Sequence, residues 1–155
     1  MEIEEIKNLI KQPEYDFLRT NEHLGNNICL LTLGGSHAYG TNVEGSDVDI
    51  RGIASLKPEN ILGTTPFEQF VENNTDTTIY GLTKIFQLLL NVNPNTIEIL
   101  GCKPEHYLFT NEIGNLILLN KHLFLSKKCI GAFAGYAGAQ LSRLENYVCR
   151  EKQIG

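Results

Sequence analysis

Several absences restrict what this chain can be. The sequence contains no tryptophan, and its four cysteines show neither a Cys-x-x-Cys spacing nor an accompanying pair of histidines. Zinc sites and disulfide frameworks use such spacings, so the cysteines are interpreted as small buried apolar side chains. No apolar run reaches the ~18–20 residues of a membrane span, and the acidic, amphipathic N-terminus does not resemble a secretory signal. These absences favour a cytoplasmic protein without a membrane partner.

Positive charge is also scarce. The sequence has 13 Lys and Arg against 18 Asp and Glu, a formal net charge of −5. General binding to nucleic acid needs a basic stripe that displaces counterions, and no such stripe is present. A nucleic-acid acceptor is therefore neither supported nor excluded. The Gly-x-Gly-x-x-Gly and Gly-Lys-Ser/Thr motifs are missing as well, which argues against a dinucleotide-binding or P-loop enzyme.

What the sequence does contain is a glycine turn behind a buried strand. The apolar run 28–33 is followed directly by Gly34 and Gly35, which predicts a strand that enters a tight turn. The glycines let backbone N–H groups approach a ligand, and a helix that begins near Ser36 favours negative charge. We expect the phosphates of a nucleotide to bind at Gly35 and Ser36.

Two carboxylates follow on the next predicted strand, 47–54. Side chains two positions apart point to the same face of a strand, so Asp47, Asp49 and Arg51 should share one face. Two carboxylates this close can bridge two divalent ions ~3.5–4 Å apart, an arrangement that assists phosphoryl transfer. Mg²⁺ is the expected ion, with Mn²⁺ as the alternative.

In this order, the two motifs resemble the signature of the DNA polymerase beta nucleotidyltransferase superfamily. The stretch 35–52 is similar to a bacterial and phage group of predicted nucleotidyltransferases, recognised by Gly-Ser-His-Ala-Tyr-Gly and Ser-Asp-x-Asp-x-Arg-Gly. The segment 76–84 also fits the group's pattern, and the similarity extends from about residue 28 to residue 101. The resemblance implies transfer of NMP from an NTP, with ATP as the expected donor, to an unidentified hydroxyl acceptor.

The superfamily also has a third carboxylate on a neighbouring strand, which helps to deprotonate the attacking hydroxyl. Asp76 is the prediction for this role, because it precedes a strand on which it would share a face with Thr78 and Tyr80. Glu68 and Glu72 are the alternatives. Together with Asp47 and Asp49, the resemblance thus assigns Asp76 to catalysis and to metal binding.

Three further side chains are candidates for nucleotide binding. His37 follows the helix-opening serine and either contacts phosphate or makes a structural hydrogen bond. Arg51 either neutralises phosphate charge or pairs with Asp49 and orients that carboxylate. Lys84 either reaches the triphosphate or is solvated.

Glu98, further along the chain, is not assigned to the site. Asn95 to Glu98 has the pattern of a capping box, with Asn95 as the N-cap residue and Glu98 bonded back to its N–H. The group's pattern has an acid at this position too.

The fold class predicted is α/β (α+β), a small mixed β-sheet flanked by helices with the nucleotidyltransferase fold. Residues 1–110 form the predicted core, and 111–155 a helical C-terminal segment. Strands are expected at 28–33, 47–54, 67–72 and 76–80, and helices at 2–11, 14–22, 81–91, 95–101, 111–120 and 127–150. The connection between the second and third strands is expected to be rich in turns.

The last helix, 127–150, carries an unusual number of small residues, among them Gly131, Gly135 and Gly138. Glycine costs a helix roughly 1 kcal/mol relative to alanine, so close packing against another element is expected. In the similar group a further helical portion follows, so this part looks truncated, and we predict a homodimer through helix 127–150. The alternative function is a catalytically incomplete module that binds a nucleotide or a partner protein, as a regulatory or antitoxin-like domain.

Overall fold

The computed structural model describes residues 2–62 and 67–154. The strands are β1 (Ile28–Leu33), β2 (Ile50–Ala54), β3 (Gln69–Glu72), β4 (Thr77–Gly81) and β5 (Tyr107–Thr110). The α-helices in the described ranges are α1 (Ile3–Leu9), α2 (Phe17–Thr20), α3 (Gly35–Tyr39), α4 (Pro58–Leu62), α5 (Leu82–Leu90), α6 (Pro94–Gly101), α7 (Glu112–Leu119) and α8 (Lys128–Ile154). Short 3-10 turns lie at Pro13–Tyr15, Gly25–Asn27, Pro104–His106 and Lys121–Phe124.

The strands form one mixed sheet in the order β3-β4-β2-β1-β5. β2 pairs antiparallel with β1 and parallel with β4, and the two outer strands pair antiparallel with their neighbours. In this register Arg51 lies between Thr32 of β1 and Thr78 of β4. The predicted α/β fold with a small mixed sheet flanked by helices is confirmed.

Apolar side chains pack on both faces of the sheet. All residues of β1 are buried, as the continuous apolar run predicted. Leu31 and Leu33 belong to the cluster beneath α1 and α2, whereas Leu30 belongs to the cluster beneath α5, α6 and α7. Because β1 is covered on both faces, the turn that follows it starts from a rigid position.

The expected strands and helices are present, most of them within two residues of their expected bounds, although the expected helix 14–22 is an α-helix only at Phe17–Thr20. Three larger differences are found. The expected strand 47–54 enters the ladder only at Ile50, whose N–H donates to the Asp76 carbonyl at 3.1 Å, and residues 46–49 precede it without strand pairing. β5 was not predicted, and its four residues occupy the sheet edge beside β1. Part of the expected turn-rich connection is helical, as α4, and 63–66 lie outside the described residues.

The predicted capping box at Asn95 is wrong. α6 begins one residue earlier, at Pro94, and its N-cap residue is Asn93. Proline is favoured at the first helical position, because the N–H that it lacks would have no partner in the helix there. Pro94 is therefore the first residue of α6, whereas the sequence pattern predicted that the helix begins after it. Glu98 thereby becomes available for another contact.

Helix α8 contacts the core through residues of its first turns. Cys129, Ala132 and Phe133 contact the cluster beneath α5 to α7. The expected close packing over the glycines is not found among the described residues, since a Cβ added at Gly131 or Gly135 would meet no atom within 4 Å. Searching the described residues, we found no helix of the length and apolar character that a membrane span requires.

Candidate active site

The turn between β1 and α3 is built on two glycines in close contact with Asp49. The Gly34 N–H donates to the Asp49 carbonyl at 2.9 Å, which joins the turn to the chain entering β2. Gly35 has a φ of +52°, and a Cβ there would collide with the Asp49 carboxylate. A side chain at position 35 would thus be both strained and obstructed. The sequence needs glycine here because a carboxylate occupies the space.

An acid pair bridged by one arginine lies next to this turn. Arg51 Nη2 is 2.9 Å from Asp49 Oδ1 and 3.3 Å from Asp76 Oδ1. The Asp49 side chain is 17% exposed and that of Asp76 is 55% exposed. The ion pair between Arg51 and Asp49 was one of the two predicted roles of Arg51. The structure thus brings Asp49, Arg51 and Asp76 together where β2 and β4 begin.

Asp76 reaches this position through its backbone. It lies in the turn before β4 with a φ of 40°, a left-handed conformation that Asp tolerates better than most residues. Its carbonyl accepts hydrogen bonds from the Ile50 N–H and, at 2.6 Å, from Arg51 Nη1. Because β2 and β4 are parallel, their starts meet at the same sheet edge, which places Asp76 beside Asp49.

The surroundings of Asp49 change the pKa of its carboxyl group. Burial raises the pKa of Asp49, and the hydrogen bond and charge of Asp76 raise it further. Arg51 opposes this by lowering the pKa of Asp49, but its effect is the smaller one. Two carboxylates held together in this way repel each other, so added positive charge is favoured at this site.

Asp47 takes no part in the ion pairs that Arg51 forms with Asp49 and Asp76. Its side chain is exposed, while the neighbouring Val48 and Ile50 are buried, as the predicted alternation required. No group of three or more His, Cys, Asp or Glu arranged to hold a metal occurs among the described residues. The donors present, carboxylate oxygens of Asp49 and Asp76, are those that a hard divalent ion prefers. The donor set therefore fits Mg²⁺ in kind.

A cavity of about 780 Å³ opens beside the glycine turn. This volume lies within the range of pockets that take small ligands and cofactors. Gly34, Gly35 and Arg51 line one part of it. The remaining wall comes from α3, β4, α6, the loop after α6, and α8. It includes Tyr39, Thr78, Tyr80, Asn95, Glu98, Lys103, Phe133 and Tyr136.

The other predicted nucleotide-binding residues do not line this cavity. Ser36 lies in α3 beside it and is partly buried. His37 is buried, and its Nε2 is 3.4 Å from the carbonyl oxygen of Ser46, which is the structural alternative considered for this histidine. Lys84 Nζ is 2.8 Å from the Glu68 carboxylate, so this lysine is paired with an acid of β3.

Two side chains of the cavity were missed by sequence reasoning. Tyr39 is part of the Gly-Ser-His-Ala-Tyr-Gly motif, and Glu98 matches an acid in the group's pattern, yet neither was assigned to the site. The signal for Glu98 was present but was attributed to helix capping. Desolvation and the nearby Glu98 carboxylate raise the pKa of Tyr39, which shows that the two side chains interact.

A mixed sheet with a glycine turn after its first strand and acids just before two parallel strands is consistent with a polymerase beta-like nucleotidyltransferase, the class that the comparison with family models shows. The model of one family, RlaP, described as the RNA repair pathway DNA polymerase beta family, matches residues 9–153, and the chain belongs to this family. No curated protein matches the chain, and no solved structure matches it either. Family membership supports nucleotidyl transfer as the general activity.

Proposed function

We propose that this protein transfers NMP from an NTP, with ATP as the expected donor, to a hydroxyl acceptor with the help of Mg²⁺ or Mn²⁺. The observation that carries the proposal is the meeting of Asp49, Arg51 and Asp76 beside the Gly34–Gly35 turn, at the edge of a cavity large enough for a nucleotide. Membership of the polymerase beta family supports it independently.

The triphosphate binds, in this proposal, at the turn between β1 and α3. The backbone N–H groups of Gly35 and Ser36 approach the phosphates, because the first N–H groups of a helix have no partner within it. Arg51 lines the cavity and donates to phosphate oxygens. His37 stabilises the turn through its contact with the Ser46 carbonyl oxygen. Lys84 binds the triphosphate if its ion pair with Glu68 breaks.

Asp47 and Asp49 hold the divalent ions, and Asp76 completes the carboxylate set. When bound, the ions neutralise phosphate charge and acidify the attacking hydroxyl. Asp76 accepts the proton of that hydroxyl. The acceptor oxygen forms a bond to the α-phosphorus, the bond from that phosphorus to the bridging oxygen breaks, and pyrophosphate leaves.

The acceptor that we propose to test first is the end of an RNA strand, because the family is described by a role in RNA repair. The net charge of −5 does not favour nonspecific electrostatic binding along an RNA strand. An RNA terminus that enters the cavity needs few such contacts, and Lys103 on the cavity wall offers one.

Labelled NTPs test the proposal directly. Each of the four NTPs, labelled at the α-phosphate, is incubated with RNA oligonucleotides that carry different termini, with Mg²⁺ or with EDTA. We expect transfer of label only with the metal, and a large loss in Asp49→Asn but not in Glu44→Gln, which alters an exposed acid of the same loop. Transfer that persists in EDTA and in Asp49→Asn would contradict the metal assignment.

A second candidate function is a module that binds nucleotide or a partner protein without turnover. The observation that favours it is that Arg51 already occupies the space between Asp49 and Asp76, and that no three-acid metal group is formed among the described residues. Tight NTP binding that is indifferent to Mg²⁺, without transfer to any acceptor, would favour this second function.

A further inference from the structure

Glu98 is a carboxylate on the cavity wall, where its side chain interacts with the Tyr39 hydroxyl. It is partly buried on α6 and lines the cavity. The N-cap residue of the helix is Asn93, five positions before Glu98, so Glu98 does not stand at the third helical position that a capping box uses. The ion pairs formed by the described residues do not include Glu98.

The surroundings of Glu98 are aromatic. Tyr39 lies next to it, and Tyr136 and Phe133 of α8 and Tyr80 of β4 line the same cavity. Flat apolar rings beside a single acceptor group suit a flat ligand that has a polar edge, because a nucleobase stacks on aromatic faces and is oriented by hydrogen bonds at its edge.

The position of Glu98 relative to the phosphate turn also suits a base. Tyr39 is four residues after Gly35 in α3, which places it one helical turn, about 6 Å, further along. Glu98 is a neighbour of the Tyr39 side chain, and both line the cavity. A nucleotide whose phosphates lie at Gly35 and Arg51 would therefore direct its base toward Tyr39 and Glu98.

We propose that the Glu98 carboxylate accepts a hydrogen bond from the exocyclic amino group of the bound nucleobase and thereby selects amino-bearing bases. This inference rests on the proposed function, because it takes the triphosphate to lie at the Gly34–Gly35 turn. An ionised carboxylate only accepts hydrogen bonds. Adenine and cytosine present an amino donor, whereas uracil presents a carbonyl oxygen that a carboxylate repels.

The base edge is a better partner for Glu98 than the ribose for a reason of placement. Glu98 faces the cavity together with Tyr39 and Tyr136, the rings between which a base would stack. The ribose lies nearer to the phosphates, on the side of Gly34 and Arg51. The test below includes sugar analogues, so that a contact with a ribose hydroxyl would be recognised.

Equilibrium binding of matched nucleotides tests the inference. ATP and purine riboside triphosphate differ only in the amino group at position 6 of the base. With Mg²⁺ present, the unaltered protein should bind ATP roughly 10- to 100-fold more tightly, the range expected for a hydrogen bond to a charged group. CTP should likewise bind more tightly than UTP.

Substitution of Glu98 should remove this preference. In Glu98→Ala, the affinity for ATP should fall to that for purine riboside triphosphate, and the affinity for purine riboside triphosphate should stay unchanged, which also shows that the variant is folded. Glu98→Gln keeps a carbonyl acceptor without the charge and should lie in between. Glu105→Ala removes an exposed acid outside the cavity and should retain the preference.

The outcomes separate this inference from the proposed function. If ATP and purine riboside triphosphate bind equally to the unaltered protein, the inference is wrong and the proposed function stands. If the effect of Glu98→Ala persists with purine riboside triphosphate but disappears with 2′- or 3′-deoxy-ATP, Glu98 contacts the ribose and the inference is again wrong. If no nucleoside triphosphate binds at all, both the inference and the proposed function fail.

Discussion

The carboxylate of Asp49 occupies the space that a side chain at Gly35 would need. A Cβ at position 35 would collide with Asp49, and the φ of +52° at Gly35 disfavours any other residue. The proposed phosphate turn and the proposed metal ligand are therefore in direct contact, and a change in one of them displaces the other.

Gly35→Ala should damage both stability and nucleotide binding. Gly40 offers a matched control, because its φ of +69° imposes a similar backbone cost while its Cβ would meet nothing within 4 Å. We expect Gly40→Ala to cost about 1–2 kcal/mol, from the left-handed conformation alone. Gly35→Ala should cost about 1–3 kcal/mol more, from overpacking against Asp49. Urea unfolding and NTP titration of both variants measure the difference, and equal losses in the two would contradict it.

Asp49 should also lower the stability of the protein near neutral pH. Burial and the neighbouring Asp76 raise the pKa of Asp49 above its ordinary 3.8, so its charged form is less favourable in the folded state than in the unfolded state. The contribution of Asp49 to stability is then fully present below pH 3.8 and is lost as the pH rises through the raised pKa. Proteins often accept such costs at functional sites.

Asp49→Asn should accordingly raise the Tm at pH 7. The expected increase is roughly 2–4 °C, the shift that about 1 kcal/mol causes in a domain of this size. The gain should shrink as the pH is lowered toward 3.8, because the carboxyl becomes neutral in both states below this pH. Thermal scans from pH 4 to pH 8 without nucleotide or metal measure this, with Glu44→Asn as the control. A variant that is less stable at every pH would show that the ion pair with Arg51 outweighs the repulsion.

The sequence predicted the central sheet well because its strands have strong local signals. The apolar run 28–33 became β1 with the predicted bounds, and the residues flanking Asp49 are buried as the alternation required. β5 was missed because its four residues follow a 3-10 turn and show no alternation. Its place at the sheet edge is determined by the pairing of Leu31 with Phe109, a contact between distant residues.

The site was predictable where a motif specifies it, and less so where distant elements meet. Asp49 and Arg51 were identified from their spacing, but the contact of both with Asp76 depends on the parallel pairing of β2 and β4. Glu98 was misread because a four-residue capping pattern took precedence over the helix start that Pro94 provides. Lys84 was a candidate by position in sequence, yet Glu68 of the neighbouring strand pairs with it.

Asp76 is predicted to act in the chemical step. Asp76→Asn should lower kcat by about 10²–10⁴, the contribution of a general base, and should change KM much less. Glu68→Gln tests the alternative acid, which lies in the edge strand and pairs with Lys84. Steady-state kinetics with the acceptor that the labelling experiment identifies measure both variants. If Glu68→Gln lowers kcat and Asp76→Asn does not, Asp76 is the wrong choice.

The C-terminal helix presents an unpacked face that we predict to mediate a homodimer. In α8, Gly131, Gly135 and Gly138 lie on the side away from Phe133, and a Cβ on any of them would meet nothing within 4 Å. Leu141, three residues after Gly138, is 59% exposed. Small residues permit close approach of two helix backbones, and exposed apolar surface of this kind tends to be buried by symmetric self-association.

Gly135→Leu should block this approach and leave the site between Gly35 and Asp49 folded. The added side chain points away from the sheet, so nucleotide binding should be retained while the dimer is lost. Asn8→Leu places the same side chain on the exposed face of α1 and should leave the dimer intact. Light scattering at ~10–50 µM measures the mass, since this range would populate even a micromolar dimer. A monomeric unaltered protein at that concentration, or a Gly135→Leu variant that is still dimeric, would contradict the prediction.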